Sequence, residues 1–420
     1  MTLDLTSEER SLLHGERGGA AALAMRLVVA LARMSGAERL LPIESAHVDS
    51  CLFHGQAGLD FAERLVAGGA EVVVPTTLNV SSLDLLHPER FRGDAETRSK
   101  ARALMDAYLA MGCRPTWTCA PYQLLHRPAF GSHIAWAESN AIVFANSVLG
   151  ARTDRYGDFI DICAALTGRV PDAGLHRTEA RRGQVVFDLG PVPGQLLADP
   201  VLFPTLGHLV GERAETRVPV LVGLPDATSE DDLKALGAGA ASSGGVALFH
   251  AVGITPEAPS LEAALADGPA EEVVLVTGEM LRDAYDDLTT AAGGELAAVS
   301  IGTPHLSLAE FERLAVLADG AVFAVPFYVN TARDVLAEVD RRGWLGPLDA
   351  AGVVPVVDTC TYITPILDVG DGVVMTDSAK WAYYAPGNLG VDVVFARIED
   401  CVRSAVAGRI VRDETVWEAT

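Results

Sequence analysis

Apolar positions along this chain fall into two rhythms that alternate from one end to the other. Over residues 5–34 they recur at three and four, the helical period, with Thr6-Ser7-Glu8-Glu9 as a capping start. His14-Gly15-Glu16-Arg17-Gly18-Gly19 breaks that stretch into two helices. Short apolar runs follow, each ending in small polar residues. Residues 39–43 run into Glu44-Ser45-Ala46-His47, residues 71–74 into Pro75-Thr76-Thr77-Leu78-Asn79, and residues 114–117 into Thr118-Cys119-Ala120-Pro121-Tyr122. A helical stretch over 97–111 separates the last two. The middle holds a strand at 184–188 and a glycine-rich connection at 237–245. The pattern then repeats, with runs at 272–276, 296–300, 320–325, 352–357 and 372–375. Four of these lead into Thr277-Gly278-Glu279, Gly302-Thr303-Pro304-His305, Asp358-Thr359-Cys360 and Thr376-Asp377-Ser378-Ala379-Lys380. Strands alternating with helices predict parallel sheets, whose ligands bind beyond the carboxyl ends of the strands. The expectation is an α/β fold: parallel or mixed sheets flanked by helices, in two or three domains at 1–165, 166–270 and 271–420.

One stretch departs from a plain amphipathic pattern. Over residues 133–155, Ile134, Ala137, Ala141, Phe144, Ala145 and Val148 keep a helical period. Glu138, Ser139, Asn140, Asn146 and Ser147 interrupt it, and Ser and Asn are poor helix formers. A helix built only for stability would not carry them. They predict a surface that approaches another group closely and hydrogen-bonds to it.

Composition narrows the function. A formal net charge of −24 argues against nucleic acid or an anionic membrane as partner, and an anionic substrate would need local cations. The first residues show no signal-peptide pattern, and the apolar helix over 20–34 is interrupted by Arg26 and Arg33. Six cysteines at irregular spacing form no disulfide framework, so a reduced, cytoplasmic setting is expected. Neither a GxGxxG nor a GxxxxGK[ST] nucleotide motif occurs, nor a CxxC pair. Arg181-Arg182 reads as a solvated surface pair.

The 133–155 stretch, with Thr118-Cys119-Ala120-Pro121-Tyr122, Ser45-Ala46-His47, Pro75-Thr76-Thr77-Leu78-Asn79, Asp358-Thr359-Cys360 and the run from Ser378 to Tyr384, resembles the large subunit of the aconitase X family, a branch of the aconitase superfamily. The resemblance runs from about residue 8 to residue 401. It implies a hydro-lyase that removes water from cis-3-hydroxy-L-proline or from mevalonate 5-phosphate, with an iron–sulfur cluster of the [2Fe-2S] or a [4Fe-4S]-derived type. Cys119 and Cys360 align with cluster cysteines, and the expectation is that both reach one metal site. The chain departs from the family at Gly302-Thr303-Pro304-His305, where Thr303 stands at a cysteine position. A hydroxyl is a poor ligand where thiolate is the norm. Either the cluster is smaller, or another cysteine such as Cys401 or Cys113 substitutes, or the cluster is lost.

Dehydration of a 3-hydroxy acid needs a base for the proton beside the carboxylate, neutralisation of the developing charge, and an acceptor for the departing hydroxide. Lys380 and Ser378, His47, Glu138 and Tyr384 are the catalytic candidates. Of the adjacent pair Tyr383 and Tyr384, one is expected in the core. Ser45, Thr76, Asn79, Ser139, Asn140, Asn146, Arg152 and His305 are the candidates for holding the substrate, Arg152 because a guanidinium suits a carboxylate. The absence of a Lys/Arg cluster favours cis-3-hydroxy-L-proline over the phosphorylated substrate. Two rival readings stand beside this one. A cluster-free lyase, isomerase or cyclase is motivated by Thr303, and a non-catalytic scaffold subunit is opposed by the density of polar strand ends. The resemblance also implies a separate small subunit carrying a swivelling domain, docked over the face that holds Cys119, Ser139 and Lys380.

Overall fold

The computed structural model describes residues 3–124, 127–291 and 293–418, so the outermost residues of the first and last expected regions lie outside them. The chain forms two compact units, residues 1–83 with 93–182 and residues 84–92 with 183–420.

In the first unit α1 (Ser7–His14) and α2 (Gly19–Met34) appear as the sequence predicts. Thr6 and Glu9 form a reciprocal capping box, and Gly15 ends α1 in the left-handed region. Strand β1 (Leu40–Pro42) is followed by β2 (Ala46–Val48), α3 (Gln56–Ala67), β3 (Thr76–Leu78), α4 (Ala95–Ala110), β4 (Ala135–Trp136), α5 (Ser139–Ser147), α6 (Ile160–Thr167) and β5 (Arg169–Pro171). The parallel sheet has the order β3-β2-β4, and β1 pairs instead with β5, antiparallel.

Three expectations change here. The polar signatures at Ala46-His47 and Thr76-Thr77 are themselves the strands, while residues 71–74 are not a strand and Val73 is exposed. Residues 114–117 contribute a single bridge, Thr77 to Arg114; beyond it the Leu78 N–H donates to the Thr116 hydroxyl (2.9 Å) rather than to a backbone carbonyl. The 133–155 stretch is not one helix either. Ile134 and Trp136 belong to a strand environment, and α5 starts only where the Glu138 side chain accepts from the Ala141 N–H.

The second unit continues with β6 (Val185–Asp188), α7 (Gly194–Leu197), α8 (Leu202–Ala214), β7 (Pro219–Val222), α9 (Glu230–Ser243), β8 (His250–Ala251), α10 (Leu261–Ala264), β9 (Glu272–Leu275) and α11 (Gly278–Asp287). Then come β10 (Leu296–Leu306), α12 (Leu308–Leu317), β11 (Phe327–Thr331), α13 (Arg333–Arg341), α14 (Leu345–Ala351), β12 (Val353–Val356), β13 (Val373–Thr376), α15 (Ala379–Leu389), β14 (Val393–Phe395) and α16 (Ile398–Ala407). Two parallel sheets result, β8-β7-β6-β9 and β12-β11-β10-β13-β14. The larger one is buried on both faces, which is why its strands read as continuous apolar runs.

The expected strand at 320–325 is absent, and the strand begins beyond Pro326 as β11. The expected glycine-rich connection at 237–245 is instead mostly the last turns of α9. Its glycines serve close packing. A Cβ on Gly239 would lie 2.9 Å from the Pro204 carbonyl oxygen, and one on Gly207 would lie 2.3 Å from that of Leu236. The backbones of α8 and α9 therefore touch, which only glycine permits. No helix among the described residues is long and apolar enough to cross a membrane.

Candidate functional site

In the first unit a buried carboxylate organises the end of β2. Asp161, in the apolar helix α6, accepts from the Asp49 N–H (2.8 Å), the Ser50 N–H (2.9 Å) and the Ser50 hydroxyl (2.9 Å). Burial pushes Asp161 up to about 6 despite those donors. The loop so fixed presents the half-buried carboxyl of Asp49, which accepts from the Asn79 amide. Burial, with the nearby Glu138 charge as the next cause, raises Asp49 to about 7. Sequence reasoning passed over both residues. The available signals were a carboxylate directly beyond a strand end and a lone Asp within Phe159-Ile160-Asp161-Ile162-Cys163.

The remaining candidates of this unit divide into groups that brace loops and groups that remain near Asp49. His47 lies fully buried on β2 with its Nδ1 2.8 Å from the Thr77 hydroxyl, and burial lowers it to about 3. It is a neutral imidazole throughout the physiological range. Asn140 Nδ2 donates to the Cys119 carbonyl (2.8 Å) and to Glu138, and its Oδ1 accepts from the Tyr122 hydroxyl (2.5 Å). Asn140 thereby anchors the loop of Cys119 to the start of α5. Ser139 donates to Glu138 (3.2 Å). Thr76 spends its hydroxyl on the Val74 carbonyl (2.9 Å), and Ser45 is buried with its carbonyl accepting from the Ala135 N–H. Asn146 donates to the Thr153 carbonyl (2.9 Å) and accepts from the Thr153 N–H (3.0 Å). It also accepts from Arg181 (3.0 Å), whose side chain is buried; the expectation of a solvated Arg181 is overturned by this partner 35 residues away. Arg152 is half-buried and donates to the His176 carbonyl (2.9 Å).

In the second unit the last residues of β10 and the polar residues after β13 line a pocket of about 260 Å³ with Thr303, Asp377, Ser378, Lys380, Lys234 and Arg397 in its wall. Gly302 is required where β10 bulges, since it sits at φ 84° and a Cβ would lie 2.3 Å from the Asn330 carbonyl oxygen. Ser378 caps α15 by accepting from the Trp381 N–H (3.0 Å) and donates to the Thr303 carbonyl. Lys380 lies in the first turn of α15, buried rather than solvent-facing, with its ammonium 5.8 Å from the centre of the Tyr362 ring. Tyr384 stacks on Tyr362 at 5.9 Å and is half-buried, while Tyr383 is exposed, so neither tyrosine is core.

Asp377 is raised to about 7, chiefly by burial and then by the Glu310 charge. An acid raised in the folded state contributes stability that is present at low pH and is lost as pH rises through about 7. Asp377→Asn is therefore expected to melt above the parent at pH 8, with the gap closing toward pH 4. A gap of equal size at both pH values would show that Asp377 is ionised in the fold.

The second unit also brings together two side chains of metal-ligand type. The Cys360 sulfur and a ring nitrogen of His305 lie within 4.8 Å of each other. The Nε2 of His305 is 3.1 Å from the Thr359 carbonyl, which can only accept, so the lone pair resides on Nδ1. Burial lowers His305 to about 4, keeping that nitrogen unprotonated. Thr303, by contrast, has a buried hydroxyl without a hydrogen-bond partner among the described residues. Cys401 packs in the core with Leu314 and Val402, and burial pushes its thiol well up; Cys113 is likewise raised to about 12. Neither has the accessible, donor-rich setting of a ligand thiolate. Cys119 and Cys360 each follow a non-glycine residue with positive φ by two positions, Trp117 (44°) and Asp358 (65°). Such strained residues cluster at sites whose geometry is fixed for a purpose.

Comparison with known proteins identifies the family. Residues 2–179 match the profile of the aconitase X first domain, 183–286 the second domain and 296–407 the third. The chain is 43% identical over 421 residues to cis-3-hydroxy-L-proline dehydratase of Pseudomonas aeruginosa, covering 98% of this chain and 72% of that protein. It is 38% identical over 397 residues to the phosphomevalonate dehydratase large subunit of Methanothermobacter thermautotrophicus, covering 94% of this chain and 96% of that one. The crystal structure of Thermococcus kodakaraensis aconitase X in its holo form matches with a TM-score of 0.86 at 33% identity, over 96% of this chain and 100% of that one. With its length matched in three consecutive segments and its fold reproduced, the chain belongs to the aconitase X family.

Proposed function

We propose that this chain is a hydro-lyase acting on cis-3-hydroxy-L-proline. The observation that carries the reading is the 43% identity over nearly the whole chain to a dehydratase of that name, with a second such relative, from Hypocrea jecorina, at 39%. A pocket of about 260 Å³ walled by a buried lysine supports a small anionic substrate. Lys380 holds the substrate carboxylate, aided by the N-terminal end of α15, where the helix dipole favours an anion. In the first unit Asp49, with a pKa of about 7, has the proton affinity of a general base working near neutral pH. Asn79 and Asp161 orient Asp49. Within the second unit, Cys360 and the Nδ1 of His305 would hold an iron–sulfur cluster, His305 serving where Thr303 cannot. When bound, the cluster supplies a Lewis acid for the departing hydroxide.

A second reading, phosphomevalonate dehydratase large subunit, is favoured by one observation: the chain covers 96% of the archaeal large subunit. That relative being a large subunit supports a separate small subunit as partner. The location we propose is the cytoplasm.

Anaerobically prepared protein, assayed with and without a candidate small subunit, should consume cis-3-hydroxy-L-proline and leave mevalonate 5-phosphate untouched. Iron and acid-labile sulfide should be present and fall in Cys360→Ser and in His305→Ala. Asp49→Asn should keep the iron and lose turnover by about 10²-fold or more, together with the limb of the pH profile that rises near 7. Iron-replete protein that turns over only the phosphorylated substrate would select the second reading, and turnover of neither would sink both.

A further inference from the structure

A second group of ligand-type side chains, none of them used in the proposed reaction, lies on the helices of the second unit. His208 and Glu212 are one turn apart on α8, and Asp287 is the last residue of α11, which packs against α8. One ligand atom from each lies within 4.8 Å of the other two. The Nε2 of His208 is 3.7 Å from the Glu212 carboxylate.

Three features separate this group from an ordinary acidic surface. The His208 ring is buried and braced beside Tyr383 at 6.1 Å, so its orientation is set by packing. Burial favours its neutral form, which carries a lone pair. The Glu212 carboxylate faces the ring and that of Asp287 comes within 4.8 Å of the same group, yet among the described residues no ion pair joins either to a lysine or arginine. The adjacent Asp286, by contrast, pairs with Arg282 at 2.8 Å. Two carboxylates and an imidazole thus converge, with no lysine or arginine paired to them among the described residues, in a protein of net charge −24.

We propose that His208, Glu212 and Asp287 bind a divalent first-row transition-metal cation, which clamps the end of α11 to α8. One imidazole nitrogen and two carboxylate oxygens suit such ions and leave positions for water. Ligand oxygens and nitrogens about 2.1 Å from one ion lie closer together than 4.8 Å, so the side chains draw inward on binding. The inference does not depend on the reaction the chain performs.

Mn²⁺ is the probe, because it prefers carboxylate to thiolate ligands and so leaves the cysteines aside. Free Mn²⁺ is counted by its electron paramagnetic resonance signal during titration of the full chain. One saturable site is expected. Glu212→Gln and Asp287→Asn, both at exposed positions that leave packing intact, should each weaken it by about tenfold or more, and His208→Ala should abolish it. Saturating Mn²⁺ should also raise the melting temperature of the parent and of neither carboxylate variant. No saturable binding, or binding that both carboxylate variants retain at parental strength, would overturn the proposal.

Discussion

Lys380→Ala lowers kcat/KM for cis-3-hydroxy-L-proline by about 10³-fold, a loss of roughly 4 kcal/mol of transition-state stabilisation. The size follows from where the ammonium sits. It is buried at the start of a helix, in a pocket wall that water reaches only partly, so its field on a carboxylate is weakly screened. The variant should fold. Ser378, not Lys380, caps α15, and the space left by the side chain opens onto a polar pocket that water can fill. A melting temperature within a few degrees of the parent, with turnover nearly gone, is the expected pair of results. Activity within tenfold of the parent, or an unfolded protein, would make Lys380 a structural residue.

Lys234→Met destabilises the second unit by about 3 kcal/mol, at the lower end of the range for breaking a buried ion pair. The Lys234 side chain is 2% exposed, 2.8 Å from Asp231 and paired with Glu310. Glu310 also closes the capping box at the start of α12 by accepting from the Ser307 N–H (2.7 Å). Removing the lysine leaves both carboxylates facing each other, though their own exposure of about 30% lets water screen part of the repulsion. Burial alone would lower the lysine pKa, and the two carboxylates more than reverse it. That stabilisation is full below the ordinary lysine pKa and fades as pH climbs beyond it. Chemical denaturation checks the figure, and Lys234→Met with Glu310→Gln should recover part of the loss. A single variant within 0.5 kcal/mol of the parent, roughly the scatter of a surface substitution, would refute the pair's importance.

What the sequence makes legible is local. Thr6 and Glu9 announce a helix start, the runs at 352–357 and 372–375 announce buried strands, and the motifs with Cys119 and Cys360 announce a family. What it hides depends on partners far along the chain. Arg181 looks like a surface cation until Asn146 is placed beside it. Asp49 looks like a loop residue until Asp161, more than a hundred residues on, grips its backbone. Residues 71–74 read as a strand because Val is rich in them, yet no neighbouring backbone completes a ladder there. His305 was read as a substrate ligand, and only the Thr359 carbonyl shows which ring nitrogen keeps the lone pair. Periodicity reports which face is buried, but not which buried polar group meets which.

The glycine seam between α8 and α9 has a mechanical meaning. A Cβ on Gly211 would lie 2.7 Å from the Ala240 carbonyl oxygen, and one on Gly244 would lie 2.1 Å from that of Gly211. With backbones in contact along their length, the two helices cannot slide past each other without collision. They behave as one stiff lever. Its α9 end carries Lys234 into the wall of the pocket, and its α8 side carries His208. Any widening of that pocket must therefore swing both helices together, with the flex taken up in the chain before Leu202 and after Ser243 rather than within the seam.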